Sequence, residues 1–251
     1  MIRKDDEQFR QMVESVAREL VTVEFHPGGS FLRTPLLYPG GSTVVVGIDH
    51  GPGAYLVSDL GLGHQEAETM GATAIYQRHA PAIAEAAGVK FEHASFFILQ
   101  VTRDQLPGAV ATIANCSQEA VAVAAYKLAE RRATEYAQGM YDRLVSLFTK
   151  DKVTRDAEFV GASNTKWHVA ALVRANRKPA VFEAVMNHHT SIAAASTKFH
   201  DIAALEKPPI RVAMVRSKKS LGTYLAVLHQ AANVVEDNVS DETIVKLAKA
   251  A

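Results

Sequence analysis

Residues 117–149, SQEAVAVAAYKLAERRATEYAQGMYDRLVSLFT, decide how this chain is organised. The run is Ala-rich and free of Pro, with Leu128, Met140, Leu144, Leu147 and Phe148 as its larger apolar groups. Ser117 suits a helix N-cap, and Glu119 suits the first turn, where a carboxylate meets the positive end of the helix dipole. The pattern predicts one long helix over about 118–148. A kink or stop is expected at Gly139, since Gly costs ~1 kcal/mol relative to Ala in a helix interior. The polar run Thr149-Lys150-Asp151-Lys152 then marks a boundary.

On the N-terminal side, residues 5–24 read as an amphipathic helix, with Phe9, Met12, Val13, Val16 and Leu20 on one stripe. Gly28-Gly29 breaks the pattern. Strand-like segments follow at 30–38, 42–49 and 54–58, punctuated by Pro39-Gly40-Gly41 and Gly51-Pro52-Gly53. Helical patterns return over 64–87, and 96–101 reads as a buried strand. On the C-terminal side, three strands are expected at 156–161, 167–173 and 180–186, separated by turn signals at Asn164-Thr165 and Asn176-Arg177-Lys178-Pro179. A helix at 190–205, a strand at 210–215, a helix at 220–234 and a last helix at 241–250 capped by Ser240 complete the chain. The expectation is an α+β protein of two mixed domains, each running helix, three strands, helix, strand. The boundaries are 1–116 for the first domain, 117–149 for the connecting helix and 150–251 for the second domain.

Composition narrows the function. The 251 residues are 48% apolar and 22% charged, near the average for globular proteins, and 27 basic residues balance 27 acidic ones. No net field draws such a protein to nucleic acid or anionic lipid. A single Cys forms no internal disulfide or Cys-based zinc site. The charged opening, Met1 to Glu7, is unlike a secretory leader, and no apolar run reaches the ~20 residues of a membrane span. A cytoplasmic protein that does not enter a membrane is expected.

Two sets of motifs carry a family resemblance. Thr34-Pro35-Leu36-Leu37, with Ser58-Asp59-Leu60-Gly61 about twenty residues later, resembles the N-terminal member of a pair of domains of unknown function found together in bacterial and phage-encoded proteins. In that family a Thr-Pro strand precedes a T-D-x-G turn. Ser58 here replaces the Thr, and Tyr38 and Ser42 stand where acidic residues are usual. Phe159-Val160-Gly161-Ala162-Ser163, Trp167-His168-Val169 and Phe199-His200-Asp201 resemble the C-terminal member. The occurrence of such pairs on mobile elements implies a role in phage–host conflict or DNA metabolism. The order helix, three strands, helix, strand in residues 150–251 also resembles the PD-(D/E)XK nuclease core, an analogy at the level of fold.

A nuclease of that kind needs an acid on its second strand and E-x-K on its third, the carboxylates holding Mg²⁺ and the Lys steadying phosphate and water. Here the third strand reads Phe182-Glu183-Ala184-Val185, with Val in place of Lys, and the second strand holds no acid. Lys198 on the following helix is the substitute for the missing Lys. Asp49 and Asp59, at the ends of neighbouring strands, are expected to converge on one rim as an alternative Mg²⁺ site, joined by at most one of Glu14 and Glu19. His188, His189, His200 and Asp201 do not match a recognised zinc spacing. Gly61-Leu62-Gly63 is a weak phosphate cradle, Gly161-Ala162-Ser163 fails the nucleophile-elbow pattern at Thr165, and Cys116 reads as a small core residue. Arg174, Arg177 and Lys178 at one hairpin, with Arg211, Arg216, Lys218 and Lys219 around the strand at 210–215, are expected to form one phosphate-facing edge.

The leading expectation is a non-catalytic phage or mobile-element accessory protein that binds a host or phage protein, or nucleic acid weakly, in counter-defence. It needs no cofactor. The alternatives are a Mg²⁺-dependent nuclease using Glu183 with Lys198 or the Asp49/Asp59 pair, and a structural module that self-associates through the long helix.

Overall fold

β-branched and aromatic residues suit a pleated, half-buried surface, and alternating runs of them build the first sheet. The computed structural model describes residues 4–27, 29–51 and 53–250. The opening Met1 to Arg3 and two of the break residues named above, Gly28 and Pro52, lie outside the described residues. Six strands pair antiparallel: β1 (Thr22–His26), β2 (Gly29–Leu37), β3 (Thr43–Gly51), β4 (Ala54–Ser58), β5 (Lys90–Glu92) and β6 (Ser95–Val101), in the order β1-β2-β3-β4-β6-β5. Val44 and Val46 of β3 and Val57 of β4 are fully buried. They share a core with Tyr76 and Ala80 of α3 (Thr73–Ala87) and with Ile113 and Val121 of α4 (Leu106–Phe148). Between β4 and α3 lies α2 (Leu62–Met70), which ends on Gly71 in the left-handed conformation that glycine adopts without strain.

The first helix, α1 (Lys4–Glu19), stops five residues before the expected end. Thr22 to His26 form a strand and pair with β2, Val23 opposite Leu32 and Phe25 opposite Ser30. The 3–4 apolar spacing runs on to Leu20, but the β-branched residues after it favour extended backbone.

The long helix begins at Leu106, well before Ser117. A 3-10 turn at Arg103–Gln105 leads into it and carries a capping box, in which the Gln105 side chain accepts from the Thr102 N–H at 3.0 Å. Pro107 follows in the first turn, where its missing N–H leaves no bond unmade. Ser117 is therefore a buried mid-helix residue and not a cap. Gly139 does not end the helix, which continues to Phe148. The chain divides into two compact units, Met1–Glu130 and Arg131–Ala251, and the division falls within α4.

The second unit holds β7 (Val153–Val160), β8 (Lys166–Val173), β9 (Ala180–Val185), α5 (His189–Ala203), β10 (Ile210–Val215), α6 (Tyr224–Ala231), β11 (Asn233–Glu236) and α7 (Asp241–Lys249). Its sheet order is β11-β10-β9-β8-β7. β7, β8 and β9 form an antiparallel meander, whereas β9, β10 and β11 are parallel. One apolar layer joins Val181, Ala213 and Val215 to Ile192 and Phe199 of α5 and Leu228 of α6. The other joins Phe182, Val212 and Met214 to Met140 and Leu144 of α4 and Ile244 of α7. The protein is thus α+β with two domains. The first unit departs from the expected order, running helix, four strands, two helices, two strands with antiparallel pairing alone, and only the second keeps helix, three strands, helix, strand.

Candidate functional site

β8 and β9 pair over three residues only, Ala171 to Val173 against Phe182 to Ala180. Nearer its start, β8 stays with β7, Val169 opposite Ala157 and His168 opposite Glu158. The two strands therefore fork, and backbone groups of His168 and Ala170 lose the partners that a continued ladder would supply. A buried backbone donor or acceptor left unpaired costs about 1–3 kcal/mol, so the fork must be filled.

Two side chains fill it. Glu183 of β9 accepts the Ala170 N–H on Oε1 at 3.1 Å. Lys198 reaches in from α5, donating to the His168 carbonyl and to Glu183 Oε1, the latter at 2.6 Å. The two side chains are 13% and 16% exposed respectively. Burial pushes the Glu183 carboxyl up from its ordinary value, while the Lys198 ammonium and the Ala170 N–H pull it back down. At the mouth of the fork, Asp156 of β7 sits at φ 45° and holds the exposed His168 Nδ1 at 3.3 Å.

This arrangement brings Glu183 and Lys198 together as the sequence suggested, but closes them on each other. A divalent cation asks for several oxygen ligands, and here the Glu183 carboxylate is paired with the Lys198 ammonium while Asp156 faces His168. Among the described residues no three His, Cys, Asp or Glu side chains converge as a metal site. Asp156 escaped sequence reading because the acid was sought on the second strand. A left-handed residue inside a strand leaves no mark in the hydrophobic pattern.

The alternative pair, Asp49 with Asp59, is not formed. In the β3–β4 hairpin Asp49 lies opposite Leu56, towards the tip, while Asp59 follows the far end of β4. Asp59 is fully buried and its oxygens are occupied. Oδ1 accepts from the N–H of Gly61 at 3.1 Å, from the N–H of Phe96 at 2.9 Å and from the Ser95 hydroxyl at 2.9 Å. Oδ2 accepts from the Ser117 hydroxyl at 2.8 Å, and Ser117 meets the Tyr38 hydroxyl at 2.8 Å. Burial is the main cause that pushes Tyr38 up to about 12. Glu14 and Glu19 stay on α1, contacting Arg18 and Ser15. Gly63 packs against the Asp59 network: a Cβ there would stand 2.5 Å from Ser117 Oγ and 3.0 Å from the Tyr76 hydroxyl. The Gly61-Leu62-Gly63 run thus serves close packing, not phosphate.

His188, His189 and Asp201 each have a partner within the fold. His188 caps α5, its Nδ1 accepting the Ser191 N–H at 3.2 Å. His189 meets the ring of Tyr224. Asp201 binds Trp167 Nε1 at 2.6 Å and both the N–H and the hydroxyl of Ser163 at 2.8 Å, and the Trp167 bond is the first cause holding its carboxyl below the usual range. Cys116 is buried.

The basic residues do not form one edge. Arg174, Arg177 and Lys178 lie between β8 and β9, whereas Arg216, Lys218 and Lys219 follow β10. β9 and β10 run parallel, Ala180 opposite Ile210 and Val185 opposite Val215. The two groups therefore flank opposite ends of the sheet, roughly 17–20 Å apart at ~3.3 Å per residue. Arg174 is bonded to Thr154, and the Arg216 guanidinium lies 5.2 Å from the centre of the Tyr136 ring. Arg211 is turned onto the carbonyls of Ala231 and Pro209. Along the middle of α4, Lys127 pairs with Glu130 and Arg131 with Glu135 in a solvated charged stretch. No helix among the described residues is long and apolar enough to cross a membrane.

No known protein family, curated protein or solved structure matches the chain.

Proposed function

We propose that this protein acts by binding a protein partner and not by catalysis. The observation that carries this reading is the filled fork between β8 and β9, where Glu183 and Lys198 are committed to each other, to the Ala170 N–H and to the His168 carbonyl. A nuclease on such a frame would need Glu183 released from Lys198, so that it and Asp156 could share a cation. The separation of the basic groups to opposite ends of the sheet weighs against nucleic acid as the partner. The resemblance of Thr34-Pro35 and Ser58-Asp59-Leu60-Gly61 to the paired phage and bacterial domains supports a mobile-element setting, with a host protein as the target in counter-defence.

The test is incubation of the full chain with single- and double-stranded DNA and RNA in Mg²⁺ and in Mn²⁺. Intact nucleic acid is the expected result in every case. Metal-dependent cleavage that Glu183→Gln abolishes would overturn the binding reading and establish the nuclease.

A further inference from the structure

Between Phe9 and Phe25 the first unit leaves an apolar surface uncovered. On and just after α1, Phe9, Met12, Val13, Val16 and Leu20 are 47–62% exposed, and Val21, Val23 and Phe25 are 43–81% exposed. Both faces have the patterning of buried ones. Phe9, Val13, Val16 and Leu20 step by four, three and four residues, the seam spacing of a helix that packs on another helix. On β1, Thr22, Glu24 and His26 alternate with the apolar residues, and Glu24 pairs with Arg33 at 2.9 Å. Val23 stands opposite Leu32, and Leu32 opposite Val46. Across that row burial falls from complete at Val46, through half-buried Leu32, to Val23 at 46% exposed. The core face of the sheet runs on past its cover. The outer edge of β1 has no strand partner among the described residues.

We propose that a second copy of this chain covers this surface, across a two-fold axis that packs each α1 against the α1 and β1 faces of its mate. Three features select that occupant. The helix stripe and the strand face belong to one segment, so a two-fold presents both to both, as an isologous interface requires. Eight large apolar side chains, roughly half exposed at ~60–120 Å² of apolar area each, supply several hundred Å² per copy. With the polar rim and the strand edge added, a pair approaches the ~1,200–2,000 Å² of a stable interface. Finally, Glu7, Glu14 and Glu19 outnumber Arg10 and Arg18 on the described polar face of α1, whereas helices that lie on anionic membranes carry an excess of Lys and Arg. The inference is independent of the filled fork, which lies in the other unit.

The experiment is light scattering of the full chain over a roughly hundredfold range of concentration, beside V13D/V16D. Wild type is expected at twice the chain mass of 27.2 kDa. The double variant is expected at the single-chain mass, its dissociation constant raised ~100-fold or more. Its far-UV dichroism should be unchanged, because both side chains are exposed in one copy. Val16→Cys, in a chain whose own Cys116 is buried, should cross-link to a covalent dimer under mild oxidation. Wild type at the single-chain mass throughout would overturn the proposal, as would a double variant that keeps the doubled mass. Single-chain wild type that sediments with phosphatidylglycerol vesicles, and loses this in V13D/V16D, would overturn it in favour of a lipid surface.

Discussion

Taking the ammonium away from Lys198 leaves the Glu183 carboxylate buried without a counter-charge and the His168 carbonyl without a donor. Lys198→Met is therefore expected to cost about 3–5 kcal/mol at pH 7, measured by urea unfolding. The cost should depend on pH in a defined direction. A carboxyl whose folded pKa lies above its unfolded value loses stability as pH rises between the two, and Glu183 is already raised with Lys198 in place. Without Lys198 it is raised further. The deficit of the variant should narrow as pH falls and Glu183 takes up its proton, and widen above that range. A deficit constant from about pH 4 to pH 8 would contradict the pairing. At this scale the sequence was partly legible. Glu183 and Lys198 stood out as residue types that chemistry uses, and they do meet. Their closure on each other depends on where β8 leaves β9, which no local pattern encodes. Ser117 shows the same limit, since a Ser before an acidic first turn reads as a cap whether or not a distant Asp59 claims its hydroxyl.

Elements were read best where periodicity is strong. The strands at 153–160, 166–173 and 180–185 and the helix α5 fall close to their expected positions, because apolar alternation and Asn-rich turns mark them locally. The short strands β5 and β11 were missed, since three or four residues carry too little pattern to register. Gly139 misled for a different reason. Its propensity cost is real, but α4 is held on both sides by packing, with Tyr136, Met140 and Leu144 in one core. Tertiary contacts override a penalty of that size. A Cβ at Gly139 meets nothing within 4 Å, so Gly139→Ala is expected to stabilise the protein by about 0.5–1 kcal/mol. Loss of stability in thermal unfolding would show that the backbone there is not ordinary helix.

For the molecule as a whole, composition and charge separated the broad classes, and the α+β architecture in two units followed from element order. The pairing of those elements was less legible. The antiparallel first sheet and the mixed second sheet arise from similar strings of short strands, and the difference lies in long-range register. The same dependence explains why the two basic groups looked like one edge: adjacency in sequence says nothing about which end of a parallel strand a loop occupies. The central claim is that the β8–β9 fork is a closed ion pair and not a metal site. It is tested most directly by titrating Mn²⁺ into isotope-labelled protein and following backbone amide resonances. Uniform, weak broadening across the molecule is predicted, with Ala170 and Glu183 no more affected than their neighbours. Selective broadening of Ala170 and Glu183 that disappears in Glu183→Gln would contradict it.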